Sequence, residues 1–560
     1  MTTLSFIASL LLFLVIGYLL SIVFLPQPKS GASAFAFRLS AGAGLGIGVT
    51  SCIAFICLLA GLTRYLPAID VAVCLVLGLI CLALSRRGLA GKPPSLSQTR
   101  PFSGLLVVLA ALFSIELIAT ILSFAVAFLK EPHGRWDAWL IWNMHARFLF
   151  RSGEAWRSVF AGGMEWSHWD YPLLLPLSAV RSWTYMGGES NTVPAVFAFL
   201  FTFLIIALLL FSLSLLRSRT HGLLATMILM GTPFFVSLGV SQFADIPFAF
   251  FVLATLIMLF FQGRSPENRT GSLILAGTAA GLCAWTKNEG LLFVLIAAVS
   301  VAGAAAVDGG GRQFVRRTGG FLAGALPVLL IVLYFKTRIS PANDLVAGFS
   351  LAAASIKMLD PARYIEIAKA FFFTGISFTQ GLIDVRVGMH FNPGAVNILL
   401  LAGYLLLAGV KTDPRDRICL FQTGAVLLLM LAGYFSVYVL TPLDLTYHLF
   451  TSLNRLFLQM WPSVIFVVFM IAGAPGEESA PGDGRDALPP LKPKAAKGKN
   501  KASLPEESSG RPLRDIPDRE WTMSHEVRER NEYNKNPVRR HARLQREGDH
   551  SDDHREGAPA

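Results

Sequence analysis

The chain has 560 residues, 54% of them hydrophobic and 15% charged, and its mean hydropathy is +0.56. That balance excludes a soluble globular protein and points to an all-α, polytopic helical membrane protein, because apolar runs of the length needed for a span recur along it. The formal net charge is +12, yet residues 476–560 hold 17 basic and 17 acidic side chains. The surplus therefore lies in the loops before them, which suits the positive-inside rule and anionic lipid and gives no support for a nucleic acid partner.

The first apolar run, Leu4 to Leu25, is too long for a signal-peptide core and has no basic segment before it, so it reads as a retained span. Further spans are expected near 39–62, 67–85, 104–129, 193–216, 222–241, 246–262, 271–286, 291–307, 318–336, 396–410, 418–440 and 461–474, about thirteen in all. Basic breaks at 85–100, 217–221, 263–269, 308–317 and 411–417 alternate with breaks poor in basic surplus. Placing the basic ones in the cytoplasm puts 130–192, SQFADIP (241–247), TKNEG (286–290), 337–395 and 441–462 outside. The spans flanking TKNEG are short, which places it below the outer surface at membrane depth. Cys52, Cys57, Cys74, Cys81, Cys283 and Cys419 all fall in apolar runs without metal-ligand spacing, so buried free thiols are expected, with no disulfide and no zinc. Residues 475–560 are poor in aromatics and rich in proline, glycine and mixed charge, the composition of a disordered cytoplasmic tail.

Ionisable side chains gather at the outside breaks: Asp137 in HGRWDAWLIWNMHARFL, Asp245 in SQFADIP, Lys287 and Glu289 in TKNEG, and Arg455 in TSLNRLFLQMWP. A charge at the edge of a bilayer is costly unless it is paired or faces water, so each is a site candidate. Each also has a plainer role. Asp137 suits an N-cap for a helix beginning at Ala138, and Asp245 suits the start of the helix at Ile246-Pro247. Lys287 can snorkel with Glu289 beside it, and Arg455 can anchor to headgroups. His168, Asp170 and Tyr171 precede a proline and suit a turn as well as substrate contact. Seven of the ten tryptophans (Trp136, Trp139, Trp142, Trp156, Trp166, Trp169, Trp183) lie between 130 and 192. They suit a headgroup-level belt on interfacial helices, or less often a platform for sugar rings. Arg135, His145 and Arg147 read as anchors in the same belt.

Four elements in this order, DAWLIWNMHARFL, WDYPLLLPLSAVRSWTYMGG (169–188), SQFADIPFAFFVLATLIML and GLCAWTKNEGLLFVL, resemble integral-membrane glycosyltransferases of the GT-C superfamily. The similar branch is the protein mannosyltransferase, aminoarabinose transferase and rhizobial lipid A/core transferase group. The resemblance covers roughly 104–474, leaving extra helices at 1–103 and the tail outside it. It implies an enzyme of a bacterial inner membrane that moves a sugar from a polyprenyl-phosphate donor, with inversion, to a hydroxyl of a lipid-linked glycan, lipid A/core or other acceptor on the periplasmic face. It implies Asp137 as general base. Lys287, Glu289, Arg455, His168, Asp170 and Tyr171 are the expected substrate and phosphate contacts. Asp245 is the expected ligand of a divalent cation, Mg or Mn, which some members of the family use. A transporter or flippase would instead want charges near mid-membrane and an internal repeat. An O-antigen ligase or polymerase would depend on outside arginines and histidines, with His168 essential and Asp137 dispensable.

Overall fold

The computed structural model describes residues 2–25, 31–86, 104–161, 167–264, 269–308, 310–343, 350–377 and 396–473. The chain divides into a unit ending at Pro481 and a second from Gly482 onward. The expected tail lies outside the described residues.

Each of the thirteen expected positions holds a helix. In order these are α1 (Thr2–Phe24), α2 (Ala32–Leu59), α3 (Leu66–Arg86), α4 (Gly104–Lys130), α7 (Thr192–Leu216), the pair α8 (Arg219–Met230) and α9 (Pro233–Val240), α10 (Asp245–Arg264), α11 (Arg269–Thr286), α12 (Glu289–Asp308), α13 (Gly311–Arg338), α16 (Val396–Ala408), α17 (Arg417–Leu440) and α18 (Leu445–Ile471). Shorter helices α5 (Asn143–Arg151) and α6 (Leu174–Met186) lie between α4 and α7, and α14 (Leu351–Met358) and α15 (Pro361–Ser377) between α13 and α16. Among the described residues ten helices are long and apolar enough to cross a membrane, α8 and α9 form one bent pair, and α11 and α16 are apolar but shorter. The protein is an all-α, multi-pass membrane protein.

Three features depart from the expected spans. The run 222–241 breaks by 68° between α8 and α9, where Pro233, which has no N–H to give the preceding turn, starts α9. The stretch 441–462, expected as a loop, is helical from Leu445 and continues unbroken to Ile471. Its hydropathy is low because Asn454, Arg455 and Gln459 interrupt it, but Leu449, Leu453, Leu456 and Met460 keep the helical spacing of a buried face. The loop 337–395 contains α14 and α15.

α10 is buried all round from Asp245 to Gln262, as a helix apolar on every face must be. Around it pack α7, α11 and α18. α3 and α4 bury only a thin strip and turn Leu75, Leu79, Ile115, Ile118 and Leu122 outward, towards lipid. α11 and α13 cross at glycines: a Cβ on Gly277 would sit 1.9 Å from the Phe321 carbonyl oxygen, and one on Gly324 1.9 Å from that of Ile274. Such backbone-to-backbone contact is how helices associate in lipid, where burial of apolar surface gives no drive. It fixes the end of α11, and with it the turn that carries Lys287. At the opposite end of α10, Arg264 pairs with Asp416 and Arg217 donates to the carbonyl of Lys411 (3.0 Å). Three of the basic breaks thus meet one another there, away from Asp245 at the other end of the helix. Asp413 in this region is held down to about 2 by the Arg415 guanidinium.

A buried ion pair ties the first helices to α6. Arg181 on α6 donates Nε to Asp70 on α3 (2.8 Å), with Nη2 2.7 Å from the same carboxylate oxygen as an ion pair, and donates Nη1 to the Ser9 carbonyl on α1 (3.0 Å). Tyr185 donates its hydroxyl to the same Asp70 oxygen at 2.5 Å.

Candidate active site

The breaks without basic surplus supply one cluster, with Asp245 at its centre. The carboxylate is fully buried at the first turn of α10. Its Oδ1 accepts from Lys287 Nζ (3.0 Å) and Gln459 Nε2 (2.6 Å), and its Oδ2 from Arg455 Nε (3.0 Å) and Nη2 (2.7 Å). Four donors fill the four lone-pair positions of a carboxylate. Gln459 is aimed by the Tyr434 hydroxyl, which donates to its Oε1 at 3.0 Å. The third guanidinium nitrogen, Arg455 Nη1, reaches Asp137 Oδ2 at 2.7 Å. Lys287 Nζ also meets Glu289 Oε1 at 3.0 Å. Burial works against the Lys287 charge, but the facing Asp245 and then Glu289 outweigh it, so the ammonium is held above its ordinary range.

Local backbone explains why these groups meet. The turn TKNEG is tight: a Cβ on Gly290 would lie 2.2 Å from the Cys283 carbonyl, and Gly290 N–H donates to the Lys287 carbonyl at 3.0 Å. Only glycine fits there, and the turn points Lys287 inward to Asp245. Asp137 is placed by a latch to the turn before α10. Arg135 N–H donates to the Ser241 carbonyl (3.2 Å), Asn143 donates to the Gln242 side chain (2.9 Å), and Gln242 donates to the Pro132 carbonyl (3.2 Å). Gln242 holds a left-handed φ of 61° in this latch. The bend between α8 and α9 is what brings that turn to the loop. Asp137 stands before a π-helical turn, Ala138–Trp142, has helical backbone itself, and makes no capping hydrogen bond. The N-cap reading of Asp137 therefore fails, and the carboxylate faces Arg455 instead. Turns of the π type are rare and often mark functional sites.

A second node adjoins the first. Asp170 Oδ2 accepts from Asn288 (2.7 Å) and Asn343 (2.6 Å), while Lys336 donates to Asn288 Oδ1 (2.6 Å) and to the Asp170 carbonyl. Tyr171 stacks on Trp142, centroids 5.5 Å apart, and on His168 at 5.1 Å. Burial first, then the negative charges of Glu289 and Asp170, push its phenol well above its ordinary range, so it stays neutral and keeps its O–H to donate. His168 has a left-handed φ of 50° and reaches the node through this stack. All eight residues named from the sequence thus lie in or beside one site. Gln459, Tyr434, Asn288, Asn343 and Lys336 were not anticipated; Gln459 follows Arg455 by four, the same-face spacing of a helix, which was a readable sign.

The tryptophans correct the belt reading. Trp136 and Trp139 are exposed, but Trp142, Trp156, Trp169 and Trp183 are buried; Trp166 lies outside the described residues. The loop folds into the main core, with Trp156, Trp169 and Trp183 in it and α6 packed against α1, α2 and α5. His145 belongs to that core, stacked on Trp169 at 3.9 Å with Nε2 2.9 Å from the Ser167 carbonyl. Arg147 donates to Asn191 at 2.6 Å. Burial pulls the His145 imidazole down to about 3, against the Ser167 bond. An unfolded histidine titrates near 6.5, so the unfolded chain binds the extra proton first and stability falls as pH drops from about 6.5 towards 3. The wild-type protein in detergent is expected to lose more melting temperature between pH 7.5 and 5 than a His145→Gln variant. Equal losses would mean that His145 does not carry the sensitivity.

A divalent cation does not fit Asp245 in this arrangement, since its lone pairs are taken by cationic and amide donors. Among the described residues no three His, Cys, Asp or Glu side chains gather to hold an ion.

Residues 174–353 match the family model described as dolichyl-phosphate-mannose-protein mannosyltransferase. That stretch contains Asp245, Lys287, Asn288, Glu289, Lys336 and Asn343 but neither Asp137 nor Arg455. The match supports the GT-C superfamily and points to a membrane glycosyltransferase using a lipid-linked sugar. No curated protein and no solved structure matches the chain.

Proposed function

We propose that this protein transfers a sugar from a polyprenyl-phosphate carrier to an acceptor hydroxyl, a lipid-linked glycan or lipid A/core sugar, on the periplasmic face of a bacterial inner membrane. The observation that carries the reading is the line of charges Asp137, Arg455, Asp245, Lys287: a partly exposed carboxylate beside two cations fixed by a buried one. In the reaction the acceptor O–H gives its proton to Asp137 while its oxygen bonds the anomeric carbon from the face opposite the phosphate. The bond from that carbon to the phosphate oxygen breaks, and its electron pair leaves with the polyprenyl phosphate. Inversion follows from the single displacement, and one base suffices because phosphate leaves without an acid. Arg455 and Lys287 stabilise the charge gathering on the leaving oxygen. Glu289 holds Lys287 in place. Asp170, its two asparagines and Lys336 offer donors and acceptors suited to sugar hydroxyls, beside Tyr171 and His168. No step is assigned to a metal.

The test compares surface glycans and polyprenyl-phosphate lipids by mass spectrometry in three strains: intact, lacking the protein, and carrying Asp137→Asn at matched abundance. The deletion and the Asp137→Asn strains are expected to lose the same sugar and accumulate its lipid-linked donor. An Asp137→Asn strain identical to the intact one removes Asp137 as the base, and dependence on His168 in its place would favour a ligase-type enzyme.

A further inference from the structure

Both cations that would receive the donor phosphate are already engaged. Arg455 directs Nε and Nη2 to Asp245 and Nη1 to Asp137, and Lys287 directs its ammonium to Asp245 and Glu289. Three carboxylates face two cations, so the cluster carries one negative charge over. A phosphate added to the intact cluster would put further negative charge into a half-buried place, which is costly. One carboxylate must leave. Asp245 is held by four donors with its side chain fully buried, so it stays. Glu289, 26% exposed, pairs with Lys287 and leaves Arg455 uncovered, whereas Asp137, 19% exposed, is bound among the described residues through Arg455 Nη1 alone and makes no capping bond to its own helix. It has water to move into.

We infer that Asp137 occupies the phosphate position on Arg455 in the resting protein, and that arrival of the donor phosphate displaces it and thereby frees it to accept the acceptor proton. This rests on the transferase reading and adds an order to it. While Arg455 Nη1 holds Asp137 Oδ2 at 2.7 Å that oxygen is occupied, and parted from the guanidinium it is open to an acceptor hydroxyl. The base is therefore armed only when the sugar is in place, and an acceptor arriving first meets a blocked site. Arg455 keeps its geometry during the exchange, because Nε and Nη2 stay on Asp245 and its guanidinium lies 4.8 Å over the Phe243 ring.

Competition has a counter-intuitive signature: removing the base should improve donor binding. The full-length protein in nanodiscs of zwitterionic lipid is titrated with a short-chain polyprenyl phosphate, read by intrinsic tryptophan fluorescence. Asp137→Asn, and Asp137→Ser as a second form, should bind roughly three- to tenfold more tightly than wild type, the size of one partly exposed ion pair. Arg455→Gln should weaken binding at least about tenfold. Glu289→Gln, which leaves the Asp137–Arg455 pair intact, should tighten it less than either Asp137 variant. Equal or weaker binding by both Asp137 variants, or equal tightening by Glu289→Gln, overturns the exchange while leaving the transferase reading in place. A wild-type protein and Asp137 variants that all fail to bind polyprenyl phosphate overturn both.

Discussion

Asp245→Asn is expected to cost about 3 kcal/mol of stability and to abolish transfer. The loss follows from what the carboxylate faces. Lys287 and Arg455 both point at it inside the protein, with side-chain exposures of 5% and 20%. Taking one partner from a buried ion pair leaves the other's desolvation uncompensated, which typically costs about 3–5 kcal/mol; the remaining pairs to Glu289 and Asp137 place this case at the low end. An asparagine amide would also turn a donor towards one of the cations. The measurement is the melting temperature by fluorescence-detected size exclusion in detergent, alongside in vitro transfer from a polyprenyl-phosphate sugar. A variant that melts like wild type would show that Asp245 is not the anchor of the cluster.

Arg455→Lys is expected to reduce transfer about a hundredfold with a smaller loss of stability. The guanidinium serves two carboxylates at once, through Nε and Nη2 on one side and Nη1 on the other, and an ammonium on a flexible stem cannot hold that fork. One misplaced donor at a developing charge costs about 10²–10³ in rate. The same change separates the site reading from the plain one, because a lysine anchors to headgroups as well as an arginine does. Unchanged transfer in Arg455→Lys would return Arg455 to that role.

The positions of the helices were legible because a span needs a long apolar run and the runs are there. What misled was polarity inside a helix. Asn454, Arg455 and Gln459 depress the hydropathy of 445–462, and a hydropathy reading cannot see that Asp245, 210 residues earlier than Arg455, satisfies the charge. The tryptophans misled for a related reason: composition says that indoles favour an interface, but only packing says that the loop is thick enough to bury four of them. The site was legible as a set of separate charges at breaks on one side. Their pairing was not, because it depends on the Pro233 bend and the Gly290 turn bringing the breaks together. The capping explanation of Asp137 was sound chemistry for its position and fails because its backbone is already helical and its carboxylate turns to Arg455.

The Arg181–Asp70 pair has a consequence for how the protein is made. Asp70 leaves the ribosome 111 residues ahead of the arginine that neutralises it, which at about 5–20 residues per second is roughly 5–20 s. Through that interval the Asp70 carboxyl lacks the arginine that pairs with it. They become a finished bundle only when α6 folds back and lays its arginine between α3 and the Ser9 carbonyl. Residues 1–103 and the loop after α4 therefore mature together, and the order of synthesis makes the loop that carries Asp137 the piece that closes the N-terminal helices.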